Sequence, residues 1–248
     1  MSCIALTHAK DRVALLEIQR GPNNFFDDAL LTELADSLLE LDEDKNVTAV
    51  VLCSEGKHFC AGADLRGQDE ASIRRTYRQA YRLFTGRKPV VAAIQGAAVG
   101  GGLGLAMAAD FRFAAPDARL TASFARIGFH QGFALSATLP RVVGAQRAQE
   151  LLYTGRAVNG EEAAAIGLVD EVAVGPRGAA LDFASRIAAS APLSVASIRA
   201  TLRRQLVADV SAALDVEAAA QAALLGTADF AEGVSASVEK RTPRFTGS

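Results

Sequence analysis

The sequence predicts an α/β fold, and three patterns in its 248 residues support that class. Short apolar, β-branched segments alternate with segments whose apolar residues recur at helical spacing. Between Lys88 and Phe113, a buried strand passes through three glycines into a helix. Beyond residue 175 the composition shifts to an alanine-rich sequence of helical pattern. We therefore expect an α/β core over residues 1–175, followed by a helical region over residues 176–248.

The N-terminal part of the chain predicts the order strand, strand, helix, strand. Residues 3–9 and 12–19 alternate between apolar and polar side chains and are joined by a short turn. Asp27 or Asp28 is suited to cap the next helix, whose leucines follow helical spacing. Residues 47–53 are apolar and β-branched, which favours a buried strand.

The helix predicted over residues 69–87 is rich in arginine and carries Tyr77, Tyr81 and Phe84 on one face. This pattern favours a solvated basic face beside a modest apolar stripe. The alternative is a lid over a ligand, with the arginines of this helix near phosphate groups.

The stretch from Lys88 to Phe113 is central to the interpretation. Residues 90–94 predict a short buried strand, and the glycines at 100–102 lead into the N-terminus of a helix. Such a junction presents unpaired backbone N–H groups and the positive end of the helix dipole, which suits an oxygen that gains negative charge during a reaction. The alternative is that the glycines only permit the helix to pack tightly on the sheet.

The second half of the chain predicts short strands and then helices. Strands are expected at 111–114 and 119–122, a loop at 128–132, and a turn into a strand at 167–172. Helices are expected at 135–143 and 145–152, from Gly160, and after Pro176 with breaks at Pro192, near Asp209 and at Gly226.

The composition argues against several classes of protein. A net charge of −2 without a basic face disfavours nucleic acid as a partner. The apolar run at 89–109 contains a glycine break, so a buried strand, turn and helix explain it better than a membrane span. The N-terminus lacks a signal-peptide pattern, and Cys3, Cys53 and Cys60 lack disulfide or zinc spacing. We therefore expect reduced thiols in a cytoplasmic protein.

Familiar catalytic motifs are absent from the sequence. His8, His58 and His130 are too far apart to form a metal-binding motif, so no metal is expected. The glycines at 100–102 match neither a dinucleotide fingerprint nor a P-loop. The loop at 128–132 has the outline of a nucleophile elbow, but a histidine stands at its centre, which gives serine chemistry no support. Two glycine loops remain whose backbone amides are able to grip one carbonyl oxygen.

Three segments resemble one known family: HFCAGADL, PVVAAIQGAAVGGGLGLAMAADFRFAAPDARL and LPRVVGAQRAQELLYTGRAVNGEEAAAIGLVDEV. They look like the crotonase superfamily, which contains the enoyl-CoA hydratases and isomerases, and the resemblance extends from residue 3 to about residue 245. It implies a crotonase-like spiral of ββα units with a C-terminal helical region that builds a homotrimer or a dimer of trimers. It also implies an acyl-CoA thioester as the substrate, with no other cofactor.

The resemblance also implies roles for individual residues. The amides of Ala63 and Gly101 would hold the thioester carbonyl and stabilise an enolate. The loop of the first motif would receive the adenine end of CoA through Cys60, Ala61, Gly62, Asp64 and Leu65. Tyr77 and Tyr81 are further candidates to line or act in the acyl pocket.

The sequence departs from the family at the catalytic carboxylates. Family hydratases carry two glutamates, and their positions are taken here by Gly104 and by the pair Ser123–Phe124. An aspartate common in isomerases and hydrolases is replaced by Gly132. His130 is the titratable side chain nearest these positions in the sequence, and it is suited to carry a proton at neutral pH.

Three hypotheses follow from this departure. The first is an enzyme that stabilises a thioester enolate for isomerisation, decarboxylation or another reaction, without typical hydratase chemistry. The second is a non-catalytic acyl-CoA-binding protein, since the three carboxylate positions are empty. The third is an oligomeric scaffold that has lost CoA binding.

Overall fold

A computed structural model of the chain describes residues 2–9, 11–63 and 68–248, and its described part forms two β-sheets surrounded by helices. The strands are β1 (Ile4–His8), β2 (Val13–Ile18), β3 (Ala49–Ser54), β4 (Val90–Ile94), β5 (Ala97–Val99), β6 (Phe111–Ala114), β7 (Arg119–Thr121), β8 (Ala157–Val158) and β9 (Glu171–Val172). The helices are α1 (Asp28–Glu43), α2 (Glu70–Thr85), α3 (Gly101–Ala108), α4 (Leu135–Val143), α5 (Ala145–Thr154), α6 (Gly160–Ala165), α7 (Pro176–Ala188), α8 (Pro192–Leu224) and α9 (Ala228–Glu239). A 3₁₀ turn covers Ser123–Ile127.

The larger sheet has the strand order β1-β2-β3-β4-β6-β9. β1 and β2, the two strands predicted at the start of the chain, pair antiparallel, and the remaining neighbours run parallel. All six residues of β3 and all five of β4 are buried, which agrees with their continuous apolar sequences. The carboxyl ends of β3 and β4 therefore lie side by side. β3 leads into the first glycine loop, and β4 leads through β5 into the glycine turn at 100–102.

Helix α7 covers one face of this sheet. Its small residues Ala180, Ala184 and Ala188 recur every four positions and pack against the side chains of β3, β4 and β6. Alanines at this spacing let the helix axis approach the sheet closely. The opposite face belongs to the main core, to which α1, α2 and α3 contribute.

The smaller sheet is built around β5, a strand that the sequence analysis did not predict. It has the order β5-β7-β8, with β5 and β7 parallel. The side of β5 is extended by an isolated bridge between Cys60 and Ala98, so the loop after β3 is tied to this sheet. A strand of three residues, Ala-Ala-Val, carries too little periodicity to be recognised from sequence.

The C-terminal region packs on the body of the same chain. Helix α8 lies against α2 and α4, and α9 lies against the 3₁₀ turn. The predicted break near Asp209 is wrong, because α8 continues without interruption from Pro192 to Leu224. Asp209 faces solvent there and accepts a hydrogen bond from Gln205 one turn earlier, which supports the helix at a residue of low helix propensity. The predicted boundary near residue 175 stays a prediction.

No helix in the described ranges is long and apolar enough to cross a membrane.

Candidate active site

A cavity of about 110 Å³ lies where the two glycine loops meet. The first loop and the glycine turn form one wall, α2 forms another, and the 3₁₀ turn with the segment at 129–133 closes the far side. The described lining residues are Phe26, Ala61, Gly62, Ala63, Gln68, Ile73, Thr76, Tyr77, Val99, Gly100, Gly101, Ser123, Phe124, Ile127, Phe129, Gly132, Phe133 and Gln221. The site is thus a mainly apolar pocket with several aromatic side chains and a few polar groups, as is typical of small-molecule sites.

The glycine turn begins α3 at the cavity wall. Gly100 caps the helix with a φ of 56°, a conformation that favours glycine, and its amide donates to the carbonyl of Thr121 at 2.8 Å. A Cβ on Gly102 would lie 2.1 Å from the carbonyl oxygen of Cys60. The helix N-terminus and the first loop are therefore in direct backbone contact, which a side chain at residue 102 would prevent.

Backbone hydrogen bonds fix the first loop beside this turn. The Cys60 amide donates to the carbonyl of Ala97, and the Val99 amide donates to the carbonyl of Cys60, both at 3.0 Å. The carbonyl of Gly62 accepts from the amide of Phe26, also at 3.0 Å. These bonds bring the predicted residue Ala63 to the same cavity as Gly101.

The amides of Ala63 and Gly101 donate to no backbone carbonyl within the described ranges. Gly101 is the first residue of α3, where the helix leaves amides without an internal partner. Chemically, this corner of the cavity offers hydrogen-bond donors and the positive end of a helix dipole to an acceptor oxygen.

The loop residues predicted to contact CoA differ in their positions. Ala61 and Gly62 line the cavity, whereas Cys60 is fully buried beneath the loop. Burial raises the pKa of the Cys60 thiol to about 12, so the thiol stays protonated and is not a nucleophile at neutral pH. Asp64 and Leu65 lie outside the described residues.

At two of the three empty carboxylate positions, other side chains occupy the space. A Cβ on Gly104 would lie 2.4 Å from Cβ of Phe133, and a Cβ on Gly132 would lie 1.8 Å from the hydroxyl of Tyr77. The third position, Ser123–Phe124, lines the cavity itself. Among the described lining residues there is no aspartate, glutamate or histidine.

His130 is not among the described residues that line the cavity. Its Nδ1–H donates to the carbonyl of Gln131 at 2.7 Å, and its own carbonyl accepts from Gln221. Its role as a proton carrier stays a prediction, which this geometry does not favour. His58 has a structural position, since its Nδ1 accepts the amide of Ala97 at 3.1 Å.

Tyr77 is the predicted aromatic residue that reaches the cavity, and Tyr81 lies in a groove between α2 and α8 instead. The hydroxyl of Tyr77 donates to Oε1 of Gln221 at 2.8 Å. Burial raises the pKa of this phenol above its ordinary value, so it stays protonated at neutral pH. A protonated phenol is a hydrogen-bonding group rather than a base.

Gln221 and Glu217 of α8 were missed by the sequence analysis. Glu217 is fully buried, and its carboxylate accepts the amides of Ala134 and Ser136 at 2.8 and 2.9 Å. Both residues interrupt the buried stripe of α8 with polar side chains. That interruption was the available signal, because a polar residue at a core position needs a partner. The partners are between 81 and 144 residues away in the sequence and were not foreseeable.

Comparisons with known proteins agree on one family. The model of the family described as enoyl-CoA hydratase/isomerase matches residues 8–248. A protein of Bacillus subtilis (strain 168) named "Probable enoyl-CoA hydratase" is 36% identical over 257 residues, which cover 98% of this chain and 99% of the relative. The peroxisomal Delta(3,5)-Delta(2,4)-dienoyl-CoA isomerase of Arabidopsis thaliana is 34% identical and covers 86% of this chain and 84% of the relative. The solved structure of an enoyl-CoA hydratase/isomerase from Pseudoalteromonas atlantica T6c matches with a TM-score of 0.89 at 30% identity, over 99% of this chain and 100% of that chain.

Proposed function

Because this chain belongs to the enoyl-CoA hydratase/isomerase family of the crotonase superfamily and has its fold, we propose that it binds an acyl-CoA thioester and stabilises the enolate of that thioester. The amides of Ala63 and Gly101 are the proposed oxyanion hole. The observation that carries this proposal is that both amides belong to residues lining one cavity while neither donates to a described backbone carbonyl.

Physical chemistry supports this assignment of the two amides. A preorganised donor aimed at a developing oxyanion lowers the barrier by about 3 kcal/mol, and it acts most strongly where water is excluded. The cavity wall around Gly101 is formed by Phe26, Phe124 and Phe133, which lowers the local dielectric. The dipole of α3 adds to the stabilisation, because its N-terminus begins at this residue.

We further propose that the reaction is not typical hydration. Activation of water needs a base, and general acid–base groups contribute about 10²–10⁴-fold to rate. The described lining offers no carboxylate, and Phe124 and Phe133 make the catalytic end of the cavity apolar. Isomerisation and decarboxylation remain the proposed classes, since both pass through a thioester enolate. His130 keeps the role of candidate proton carrier only if it turns toward the substrate in the complex.

A second candidate function is acyl-CoA binding without turnover. It is favoured by the same absence of titratable carboxylate and imidazole groups from the described lining. Isothermal calorimetry with butyryl-CoA and crotonyl-CoA, beside turnover assays on a panel of enoyl-, dienoyl- and malonyl-type thioesters, separates the two functions. Turnover of any thioester in the panel supports the enzyme. Micromolar binding with no turnover supports the binding protein, and failure to bind any CoA thioester contradicts both.

The oxyanion hole itself is tested at Gly101. Proline is compatible with the first position of a helix but lacks the amide proton, so Gly101→Pro removes one proposed donor. A Cβ at this position would meet the ring of Phe26 at 2.5 Å, and Gly101→Ala therefore serves as the matched steric control. We expect kcat/KM of Gly101→Pro to fall about 10²–10³-fold below that of Gly101→Ala. Equal values in the two variants would remove Gly101 from the oxyanion hole.

The assembly, the cofactor requirement and the location of the protein are also proposals. We propose a homotrimer or a dimer of trimers, no cofactor beyond the CoA of the substrate, and a cytoplasmic location. The three described cysteines are free thiols, which supports a reducing compartment. Light scattering on the purified full-length chain tests the assembly, and a monomeric mass at micromolar concentration would contradict it.

A further inference from the structure

A buried polar pair lies among the aromatic rings of the cavity: the hydroxyl of Tyr77 and the amide of Gln221. Tyr77 is 9% exposed and Gln221 is 4% exposed, and both line the cavity. They come from different elements, α2 and α8, and are 144 positions apart in the sequence. A polar pair held from two elements inside an apolar pocket is suited to orient a ligand.

The hydrogen bonds fix which way each group points. Nε2 of Gln221 donates to the carbonyl of His130 at 2.9 Å, and a carbonyl only accepts. The other end of the amide, Oε1, therefore faces Tyr77 and accepts its O–H at 2.8 Å. The proton of the phenol is thus engaged away from any ligand, and the phenol oxygen is left as an acceptor.

This oxygen retains capacity for one further donor. A phenol oxygen accepts as well as donates, and the described residues provide no hydrogen bond to the oxygen of Tyr77. A ligand group that donates a hydrogen bond gains from this oxygen, whereas a group that only accepts does not.

Gly132 leaves free the space that the hydroxyl of Tyr77 occupies. Its missing Cβ would lie 1.8 Å from the Tyr77 hydroxyl and 2.7 Å from Nε2 of Gln221. The pair therefore takes the space that a side chain at residue 132 would need. Where the resemblance leads one to expect a carboxylate, this chain has a neutral acceptor that is fixed in direction.

We propose that Tyr77, oriented by Gln221, is a specificity-determining residue that accepts a hydrogen bond from a hydroxyl substituent on the acyl chain of the thioester. The proposal rests on the proposed function, since it takes an acyl-CoA as the ligand. It implies a ranking among acyl groups of equal length: hydroxyacyl above plain acyl, with no gain for oxoacyl, because a keto group lacks a proton to donate. One net hydrogen bond corresponds to a preference of roughly 2- to 12-fold in affinity.

Calorimetry on the full-length wild-type protein tests the ranking first. The ligands are butyryl-CoA, 3-hydroxybutyryl-CoA, 4-hydroxybutyryl-CoA and acetoacetyl-CoA. We expect one of the two hydroxyacyl ligands to bind roughly 2- to 12-fold more tightly than butyryl-CoA, and acetoacetyl-CoA to show no such gain. Binding of butyryl-CoA without any hydroxyl preference overturns this inference and leaves the proposed function intact. Failure of every thioester to bind overturns both.

Variants then assign the preference to its residue. Tyr77→Phe removes the hydroxyl and keeps the ring, and we expect the ratio of the hydroxyacyl to the butyryl dissociation constant to approach one. Tyr81→Phe is the matched control, since it removes a hydroxyl from the same helix one turn away, outside the cavity. The double variant Tyr77→Phe/Gln221→Leu removes both partners and covers the case in which an unpaired Gln221 destabilises the single variant. A preference that persists without the Tyr77 hydroxyl would refute the assignment.

Discussion

At the scale of single residues, glycines decide which side chains reach the cavity. Gly101 leaves room for the ring of Phe26, Gly104 for Phe133, and Gly132 for the hydroxyl of Tyr77. Each of these glycines removes a side chain from one element and lets an aromatic residue of another element fill the space. Carboxylates were expected at positions 104 and 132. The glycines there carry no acid–base group, and the neighbouring aromatic residues leave no space for one.

Gly104→Glu tests this steric argument. We expect the variant to lose stability and to gain no hydratase activity, because its Cβ would lie 2.4 Å from Cβ of Phe133 and a glutamate extends further. Thermal unfolding and hydration of crotonyl-CoA are the measurements. The double variant Gly104→Glu/Phe133→Ala provides the missing room, and we expect it to regain part of the lost melting temperature. Unchanged melting of the single variant, with hydration appearing, would contradict the argument.

Glu217 predicts a dependence of stability on pH. Burial raises the pKa of Glu217 from its ordinary value of about 4.5 to about 7, so the folded state binds a proton more readily than the unfolded state. The resulting stabilisation is fully present below about pH 4.5 and is lost as pH rises through about 7. We expect this contribution to amount to roughly 3 kcal/mol, because the pKa rises by about 2.5 and each unit of pKa corresponds to about 1.36 kcal/mol.

Urea denaturation of the wild type and of Glu217→Gln across pH 4.5–8 measures this contribution. The difference in the free energy of unfolding between wild type and variant isolates the residue, since other titrations cancel. We expect the wild type to lose stability relative to the variant as pH rises through this range. Glu40→Gln makes the same substitution at an exposed glutamate and is the control. A flat difference for Glu217→Gln would show that the carboxyl does not titrate there.

At the scale of elements, α8 connects the far parts of the molecule. Near its N-terminus, Arg199 and Arg203 bind the two oxygens of Asp110 at 2.9 and 2.8 Å, beside the start of β6. Near its C-terminus, Glu217 and Gln221 hold the segment that closes the cavity. The 33-residue helix α8 thus contacts both the sheet and the segment that closes the cavity. A shift of this helix would therefore move both regions.

Asp110→Asn tests the connection at the sheet. Both arginines are at least 92% buried, and Nη2 of Arg199 and Nε of Arg203 already lack a partner within the described part of the chain. Neutralising Asp110 leaves two buried cations without their shared counter-charge, which costs about 3–5 kcal/mol. We expect a large drop in the urea midpoint for this variant. Asp117→Asn, at an exposed site, is the control. Similar midpoints in the two variants would disprove the role of Asp110 as the counter-charge of the two arginines.

At the scale of the whole molecule, local signals predicted the elements but not their long-range contacts. The strand at 90–94, the glycine turn and the helix at 135–143 are confirmed, because periodicity and turn residues specify them locally. β5 was missed because three residues carry no period. Gln221 and Glu217 were missed because their roles depend on partners that only the tertiary fold supplies. The cavity was predicted by family resemblance, while its polar pair was visible only in the structure.

The role of the C-terminal region as part of the fold is tested by truncation. A chain ending at residue 175 lacks α7, whose alanines cover Val51, Val91 and Phe113 of the sheet, and exposing this apolar face is expected to prevent cooperative folding. A chain ending at residue 226 keeps α7 and α8 but loses Phe230, whose ring stacks on the cavity residue Phe129 at 4.5 Å. We expect the longer chain to unfold cooperatively and to bind butyryl-CoA more weakly than the full-length protein, as measured by circular dichroism and calorimetry. If instead the chain of 175 residues unfolds cooperatively and binds butyryl-CoA, the core is independent and the helices contribute to assembly alone.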